Sequence, residues 1–218
     1  MLLAFGYAPV VANVSNTVGL VPGSASGAVG YRRELRGQGR RAIPLAAASV
    51  IGGVAGAVLL LVLPASAFKA IVPVFIAIAL VLIIAQPRLL RALETRRPRT
   101  TSRVGPAATV AVVGSGVYGG YFGAAQGILL LAILGLAVDD DLQRVNALKV
   151  VLAGVVNLLA AVVFILFADV AWGAAGLIAG GSALGGIIGA RQARRLSSGA
   201  LRAVIVVVGI LAIVKLLA

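Results

Sequence analysis

The sequence contains neither cysteine nor histidine among its 218 residues. Disulfide bonds, thiol nucleophiles, haem attachment through cysteine and zinc sites built from cysteine and histidine are therefore excluded. A Ser/His/Asp catalytic set is excluded for the same reason. We accordingly expect no metal site and no cofactor, and we do not expect an enzyme.

Acidic residues are also scarce, since 6 Asp and Glu stand against 19 Lys and Arg. None lies in the middle of an apolar segment: Glu34 and Glu94 are in basic stretches, and Asp169 is at a segment edge. The run 139–141 precedes a helix, so we interpret it as a helix cap rather than a metal site. Cation carriers and proton relays normally use buried carboxylates or histidine, so the sequence disfavours both functions.

Aromatic residues make up only 5% of the chain, although its net charge is +13. A strongly basic chain can indicate nucleic-acid binding, but here the basic residues form short runs between apolar segments, with few aromatic residues beside them. Such runs are typical of the cytoplasmic loops of membrane proteins. We therefore expect this chain to lie in a lipid bilayer and to bind no nucleic acid.

Apolar residues, by contrast, are abundant: hydrophobic residues form 61% of the sequence and charged residues 11%. A helix that crosses roughly 30 Å of bilayer hydrocarbon needs about 20 predominantly apolar residues. The sequence therefore predicts an all-α, polytopic integral membrane helix bundle. Its apolar segments are 8–30, 42–63, 67–86, 145–168, 172–190 and 200–217, with a longer one at 104–137.

Basic runs set the orientation of these segments. They lie at 32–41, 88–103 and 191–195, which the positive-inside rule places in the cytoplasm. Both ends of 104–137 then lie on that side, so this region should form a re-entrant or V-shaped hairpin, a broken helix that turns within 114–127. Non-helical backbone at membrane depth needs surrounding protein or a water-filled cavity, and glycine permits the turn. The glycine-rich hairpin is therefore a candidate site.

A repeat relates the two parts of the chain. Residues 13–70 match 146–203 without gaps, at an offset of 133 residues. The orientation directs 8–30 toward the cytoplasm and 145–168 away from it, so the two repeats should be inverted. Transporters of this kind bind substrate between the repeats. The predicted units are a first membrane repeat at 1–87, a basic cytoplasmic linker at 88–103 and a second membrane repeat at 104–218.

The hairpin has no counterpart in the first repeat, because the same offset would place that counterpart before Met1. We therefore expect the first repeat of this sequence to lack its initial hairpin. A misassigned start codon, a natural truncation or loss of the hairpin would each explain this, and we favour the first.

Polar residues share one helical face in each repeat. Two interpretations remain open, namely interhelical hydrogen bonds that hold the bundle together and a binding site. Lys149 could likewise extend toward the membrane surface beside Arg144, or it could attract an anion. Amide donors, a lysine and helix N-termini, without carboxylates, favour an anionic substrate. The glycine runs at 52–56 and 180–189 are interpreted as helix packing.

Three stretches carry a resemblance to a known family. They are Gly-Gly-Tyr-Phe-Gly-Ala-Ala-Gln-Gly at 119–127, Arg-Val-Asn-Ala-Leu-Lys at 144–149, and Gly-Gly-Ile-Ile-Gly-Ala-Arg at 185–191. Together they resemble the sulfite exporter (TauE/SafE) family of membrane transporters, over nearly the whole chain. The resemblance implies a multi-pass permease of the bacterial cytoplasmic membrane, usually an exporter of sulfite, sulfonates or related organic anions.

The sequence thus leads us to expect a transporter that exports a small anion of this kind by alternating access. The alternative is a membrane scaffold or assembly subunit that transports nothing, and a homo-oligomer is left open. The expected substrate-binding residues lie on the polar helix faces and at the hairpin turn. They are Asn13, Asn16, Thr17, Gly119, Gly120, Gly123, Gln126, Gly127, Asn146, Lys149 and Asn157.

Overall fold

The computed structural model describes residues 2–94, 104–138 and 140–192 together with Val207, and within these residues it contains helices and no strand. The all-α prediction is therefore confirmed for the described chain. A short 3-10 helix at Leu2–Phe5 precedes seven α-helices. They are α1 (Pro9–Gly30), α2 (Gly39–Val62), α3 (Ala65–Glu94), α4 (Pro106–Tyr121), α5 (Gln126–Ala137), α6 (Leu142–Phe167) and α7 (Trp172–Gln192).

Some predicted segments lie outside the described residues, and one helix is longer than predicted. The predicted segment 200–217 lies outside the described residues apart from Val207, as does most of the basic run 88–103. α3 is longer than the predicted segment 67–86 and continues through Arg88 and Arg91 into the predicted linker.

Helix starts follow local sequence signals. α1 and α4 begin with Pro9 and Pro106, and proline suits the first helical position because its missing N–H would have no partner there. α6 begins after Asp141, whose carboxylate accepts a hydrogen bond from the N–H of Gln143 at 3.1 Å. The predicted helix cap is therefore confirmed at Asp141, whereas Asp139 lies outside the described residues.

Three of the described helices are long and apolar enough to cross a membrane: Gly39–Val62, Ser66–Leu93 and Leu142–Phe167. Gln126–Ala137 and Trp172–Ile188 are shorter apolar helices. α1 has 22 residues but is not among the three, because amides, hydroxyls and glycines interrupt its apolar sequence. Large apolar side chains nevertheless point outward along several helices, as at Leu177, which is 82% exposed. An apolar exterior of this kind is typical of a lipid-facing surface.

Two pairs of helices form the closest packing in the described chain. α1 packs against α7 and α2 against α4, and both α1 and α2 also pack against α6. One apolar cluster joins α2, α4, α5 and α6 around Leu45, Leu134 and Leu148. A second joins α1, α2, α3, α6 and the end of α4 around Val14, Phe68 and Phe164. α2, α4 and α6 contribute to both clusters and are therefore central to the bundle.

Glycines allow the α2–α4 approach. A Cβ atom on Gly52 would lie 2.9 Å from the Cα of Gly116, and one on Gly56 would lie 2.8 Å from the N of Tyr121. Such distances leave no room for a side chain, so the packing predicted for 52–56 is confirmed. On α7 the prediction holds for Gly186, where a Cβ would lie 2.6 Å from the Gly23 oxygen.

The packing prediction is wrong for three other glycines of α7 within the described chain. A Cβ atom on Gly180, Gly181 or Gly185 would meet no described atom within 4 Å. These glycines lie on the exposed side of α7, whereas the helix contacts α1 through Ser182 and Gly186. Spacing alone could not distinguish the two sides of a helix with glycine on both.

Candidate functional site

A break in the helical backbone separates α4 from α5. α4 ends at Tyr121, and the turn contains two residues with positive φ, Gly123 at 77° and Ala125 at 59°. Glycine adopts this left-handed conformation without strain, whereas alanine does so rarely. Gly119 lies directly against the side chain of Gln126, so a larger residue at 119 would displace that side chain. The predicted turn is thus located at 122–125.

Polar side chains donate hydrogen bonds to carbonyl groups of α4 and of the turn. The Asn13 side-chain amide donates to the Tyr121 carbonyl oxygen at 2.9 Å. The Gln126 amide donates to the carbonyl oxygen of Ser115 at 3.2 Å, and Gln126 is only 3% exposed. The Tyr118 hydroxyl donates to the carbonyl oxygen of Ala124. Asn13 therefore supplies a donor to the end of α4, where the last carbonyls of a helix need external partners, and Gln126 joins the start of α5 to the interior of α4.

Lys149 extends from α6 to the first turn of α5. Its Cδ, Cε and Nζ atoms lie 3.6, 3.8 and 3.9 Å from the position that a Cβ atom on Gly127 would take. Gly127 therefore leaves space beside the lysine side chain. Lys149 is half-buried and forms no hydrogen bond or ion pair with any described residue.

The first turn of α5 adds partial positive charge beside this ammonium group. Helix N-termini present N–H groups without helical acceptors and favour anions. The N–H groups of Gln126 and Ile128 donate to turn carbonyls at 3.3 and 2.9 Å, whereas that of Gly127 has no acceptor in the described chain. Lys149 and the Gly127 N–H are thus two adjacent donors without an anionic partner, an arrangement that can bind an anion.

The remaining predicted residues lie along α1 and α6. The Asn157 amide donates to the hydroxyl of Ser24 at 3.4 Å, which joins the middle of α6 to α1. The Asn146 amide donates to the hydroxyl of Tyr31 at 2.9 Å, just beyond the end of α1. Thr17 donates to the carbonyl oxygen of Asn13 one turn earlier at 3.0 Å, and Asn16 is exposed.

The structure therefore groups the predicted residues only in part. Gly119, Gly123 and Gln126 lie together at the turn, and Gly127 and Lys149 lie together beside it. Gly120 faces α2, where it packs against the backbone of Gly53. The amide of Asn146 binds Tyr31 near the first turn of α6, and that of Asn157 binds Ser24 further along the helix.

A charged cluster joins the starts of α2 and α6. Asp140 accepts hydrogen bonds from Arg41 and Arg144, each at 2.9 Å. Burial is the largest single effect on the pKa of Asp140 and opposes ionisation of its carboxyl group. The hydrogen bonds from Arg144, the Asp141 N–H and Arg41, together with the positive charge of Arg144, outweigh it and hold this pKa below its ordinary value. Gln38, which is 2% exposed, donates to the Arg144 carbonyl oxygen at 3.0 Å and extends the same connection.

Sequence reasoning did not assign Asp140, Tyr31 or Ser24 to the site. The helix cap predicted for 139–141 describes Asp141 but does not predict the ion pairs of its neighbour Asp140. Ser24 could have been assigned, because it occupies the position of the first repeat that matches Asn157 in the second. Within the described residues, no group of three acidic, cysteine or histidine side chains is arranged to hold a metal ion.

The chain matches a known protein family over nearly its whole length. The family model described as sulfite exporter TauE/SafE matches residues 1–216. Searches of curated proteins and of solved structures found no significant match.

Proposed function

Because the chain belongs to the sulfite exporter TauE/SafE family, a family of membrane transporters, we propose that it exports a small anion by alternating access. The anion would be sulfite, a sulfonate or a related organic anion. The observation that carries this proposal is the position of Lys149 beside the first turn of α5, without an acidic partner in the described chain. We propose that the anion binds there.

The residues around this position would have different roles. Lys149 and the N–H of Gly127 would contact the anion, and the absence of a side chain at Gly127 would leave room for it. Asn13 and Gln126 would hold the broken helix that presents α5. Asn157 and Ser24 would lie at the contact between α1 and α6, so movement of one repeat against the other would change the distance between them.

Two inverted repeats are part of the proposal. The hydrogen bond between Ser24 and Asn157 joins residues 133 positions apart, the offset of the sequence repeat, as expected where equivalent residues meet across an axis. The contact of Gly53 with Val156 has a counterpart in the contact of Gly186 with Gly23, displaced by the same offset. The pairing of α1 with α7 likewise corresponds to that of α6 with α2. These contacts support the interpretation of the fold as paired halves.

Placement in the bacterial cytoplasmic membrane, with α4 and α5 as a re-entrant hairpin, completes the proposal. The basic residues between α1 and α2 would face the cytoplasm, as would Arg88 and Arg91 of α3. The Asp140 cluster would then lie at the cytoplasmic side and join the two repeats there. In this proposal, 1–87 form the first membrane repeat, 88–103 the cytoplasmic linker and 104–218 the second membrane repeat.

Export from cells that carry single substitutions tests the proposed function. Lys149→Ala and Asn157→Ala should each impair efflux of sulfite while the variants still insert into the membrane at wild-type levels. Arg33→Ala, in an exposed loop position, is the matched control and should export normally. Wild-type efflux by both site variants would refute the proposed site.

A scaffold that transports nothing is the second candidate. The observation that favours it is that the amides of Asn13, Gln126, Asn146 and Asn157 all donate to other groups of the protein. Under this interpretation, Lys149→Ala would change stability little, since no described group pairs with its ammonium group. Reconstituted wild-type protein would then move no anion at all.

A further inference from the structure

We propose that this site, in the transporter proposed above, selects anions that carry a single negative charge, and that Lys149 determines this selectivity. The inference rests on the proposed function and adds the charge class of its substrate. It would favour the sulfonate group, R–SO₃⁻, and hydrogen sulfite, HSO₃⁻, over doubly charged oxyanions such as sulfate and SO₃²⁻.

The first step is a count of the cations near the site. Lys149 contacts the first turn of α5, whereas Arg41 and Arg144 direct their guanidinium groups to Asp140, beyond the other end of that helix. α5 has 12 residues. Its ends therefore lie about 18 Å apart, given the rise of a helix. Lys149 is thus the one described basic side chain that contacts the start of α5.

The second step concerns the partial charge of the helix terminus. An exposed helix N-terminus can act as about half a positive charge. At α5, however, the carbonyl oxygens of Gly123 and Ala125 already accept the N–H groups of Gln126 and Ile128. The free N–H of Gly127 then remains as a hydrogen-bond donor that orients an oxyanion. The site therefore offers the single charge of Lys149 together with a partial charge smaller than that of an uncapped helix terminus.

The third step is the cost of an unmatched charge. A single negative charge beside Lys149 leaves the site close to neutral, so the anion and the ammonium compensate one another's loss of water. A doubly charged anion leaves one negative charge without a partner in surroundings of low polarity, which is unfavourable. The described chain has no second cation beside Gly127 to offset it. The site should therefore distinguish anions by their net charge rather than by their shape.

Methanesulfonate and sulfate form a matched pair of probes. Both have a tetrahedral sulfur atom, but a methyl group in methanesulfonate replaces one charged oxygen of sulfate. In proteoliposomes that contain the full chain, each competes with labelled sulfite for counterflow. We expect methanesulfonate to inhibit at a concentration at least about tenfold lower than sulfate. Equal inhibition by the two, with sulfite flux present, would overturn this inference and leave the proposed function intact.

Substitutions at Lys149 test its role in the preference. Lys149→Arg keeps the charge and should keep the preference for methanesulfonate. Lys149→Gln removes the charge, and its remaining flux should be inhibited about equally by methanesulfonate and sulfate. Arg33→Gln removes an exposed charge and should retain the wild-type ratio. A Lys149→Gln variant with flux and an unchanged ratio would overturn the role of Lys149. Absence of flux for every anion in the wild type would overturn the proposed function and this inference together.

Discussion

At the scale of residues, two asparagines three positions apart on α1 have different surroundings. The amide of Asn13 binds the Tyr121 carbonyl oxygen where α4 ends, whereas Asn16 is exposed. Inside a membrane no water replaces a lost donor to a carbonyl group. Asn13 is therefore required to keep the helix break in place, and Asn16 has no comparable contact in the described chain.

Asn13→Leu should accordingly destabilise the protein. Loss of its hydrogen bond should cost about 0.6–2 kcal/mol, the range found for polar contacts between membrane helices. The loss of stability is measured by heating the protein in detergent and determining the folded fraction at each temperature by size-exclusion chromatography. Asn16→Leu is the matched control and should melt like the wild type. Equal losses in the two variants would contradict the assignment of Asn13.

The sequence identifies polar side chains within apolar segments, but it does not predict the partner of each side chain. Polar side chains on one face of 8–30 and 145–168 indicate groups that turn away from lipid. Asn13 and Tyr121 are 108 positions apart, and their contact depends on how α1, α2 and α4 pack. Periodicity within one helix contains no information about that packing.

At the scale of elements, the glycine content of 114–127 predicts a turn without locating it. Helical backbone continues through Gly116, Gly119 and Gly120, which serve close packing, and ends only at Tyr121. The left-handed conformation falls on Gly123 and also on Ala125, which no sequence signal identifies. Glycine therefore has two roles in this stretch, and only tertiary contacts separate them.

Two glycines of α4 give a test of this distinction. Gly120 faces the backbone of α2, where a Cβ atom would lie 3.0 Å from the N of Ala57, whereas Gly114 has no described atom within 4 Å of that position. Gly120→Ala should push α4 from α2 and lower the melting temperature, and Gly114→Ala should leave it unchanged or raise it slightly. Thermal melts of both variants check this. A neutral Gly120→Ala would contradict the close packing of α2 and α4.

The Asp140 cluster, which connects the starts of α2 and α6, should make stability depend on pH. The pKa of Asp140 is lower in the folded protein than in the unfolded chain, so its ionised form stabilises the fold above the ordinary carboxyl range. This contribution is lost as the pH falls through the lowered pKa. Asp140→Asn should therefore melt below the wild type at neutral pH, and the difference should shrink below about pH 4.

Asp141→Asn is the matched control for that experiment. Asn caps helices about as well as Asp, so the hydrogen bond to the Gln143 N–H should persist and stability should change little. Melts at pH 7 and at acidic pH, at low salt, give the comparison, because salt weakens exposed ion pairs. A difference between Asp140→Asn and wild type that is constant with pH would contradict the ionic role of Asp140.

At the scale of the whole molecule, the sequence predicts the helix order better than the exposed surface. Its apolar segments correspond to α1, α2, α3, α6 and α7, and the described residues of the basic runs lie between helices or at helix ends. It does not predict that the glycines at 180, 181 and 185 face outward, because a repeat in sequence does not require the same neighbours for both copies.

The proposed axis between the repeats rests on the contact of Ser24 with Asn157, which can be tested by cross-linking. The chain has no cysteine of its own, so the double variant Ser24→Cys with Asn157→Cys introduces the only thiols. Mild oxidation should cross-link this pair within one molecule, because their side chains are in contact. Ser24→Cys with Leu158→Cys is the control, since Leu158 points outward, and it should cross-link poorly. Similar yields for both pairs would contradict the α1–α6 contact.

The most direct test of the central claim is sulfite flux through purified protein in proteoliposomes. The wild-type chain should move labelled sulfite at rates well above those of empty vesicles, and Lys149→Arg should retain flux. Lys149→Gln should lose most of it while eluting as a folded protein. Absence of wild-type flux, or equal flux in Lys149→Gln and wild type, would contradict an anion site formed by Lys149 and the start of α5.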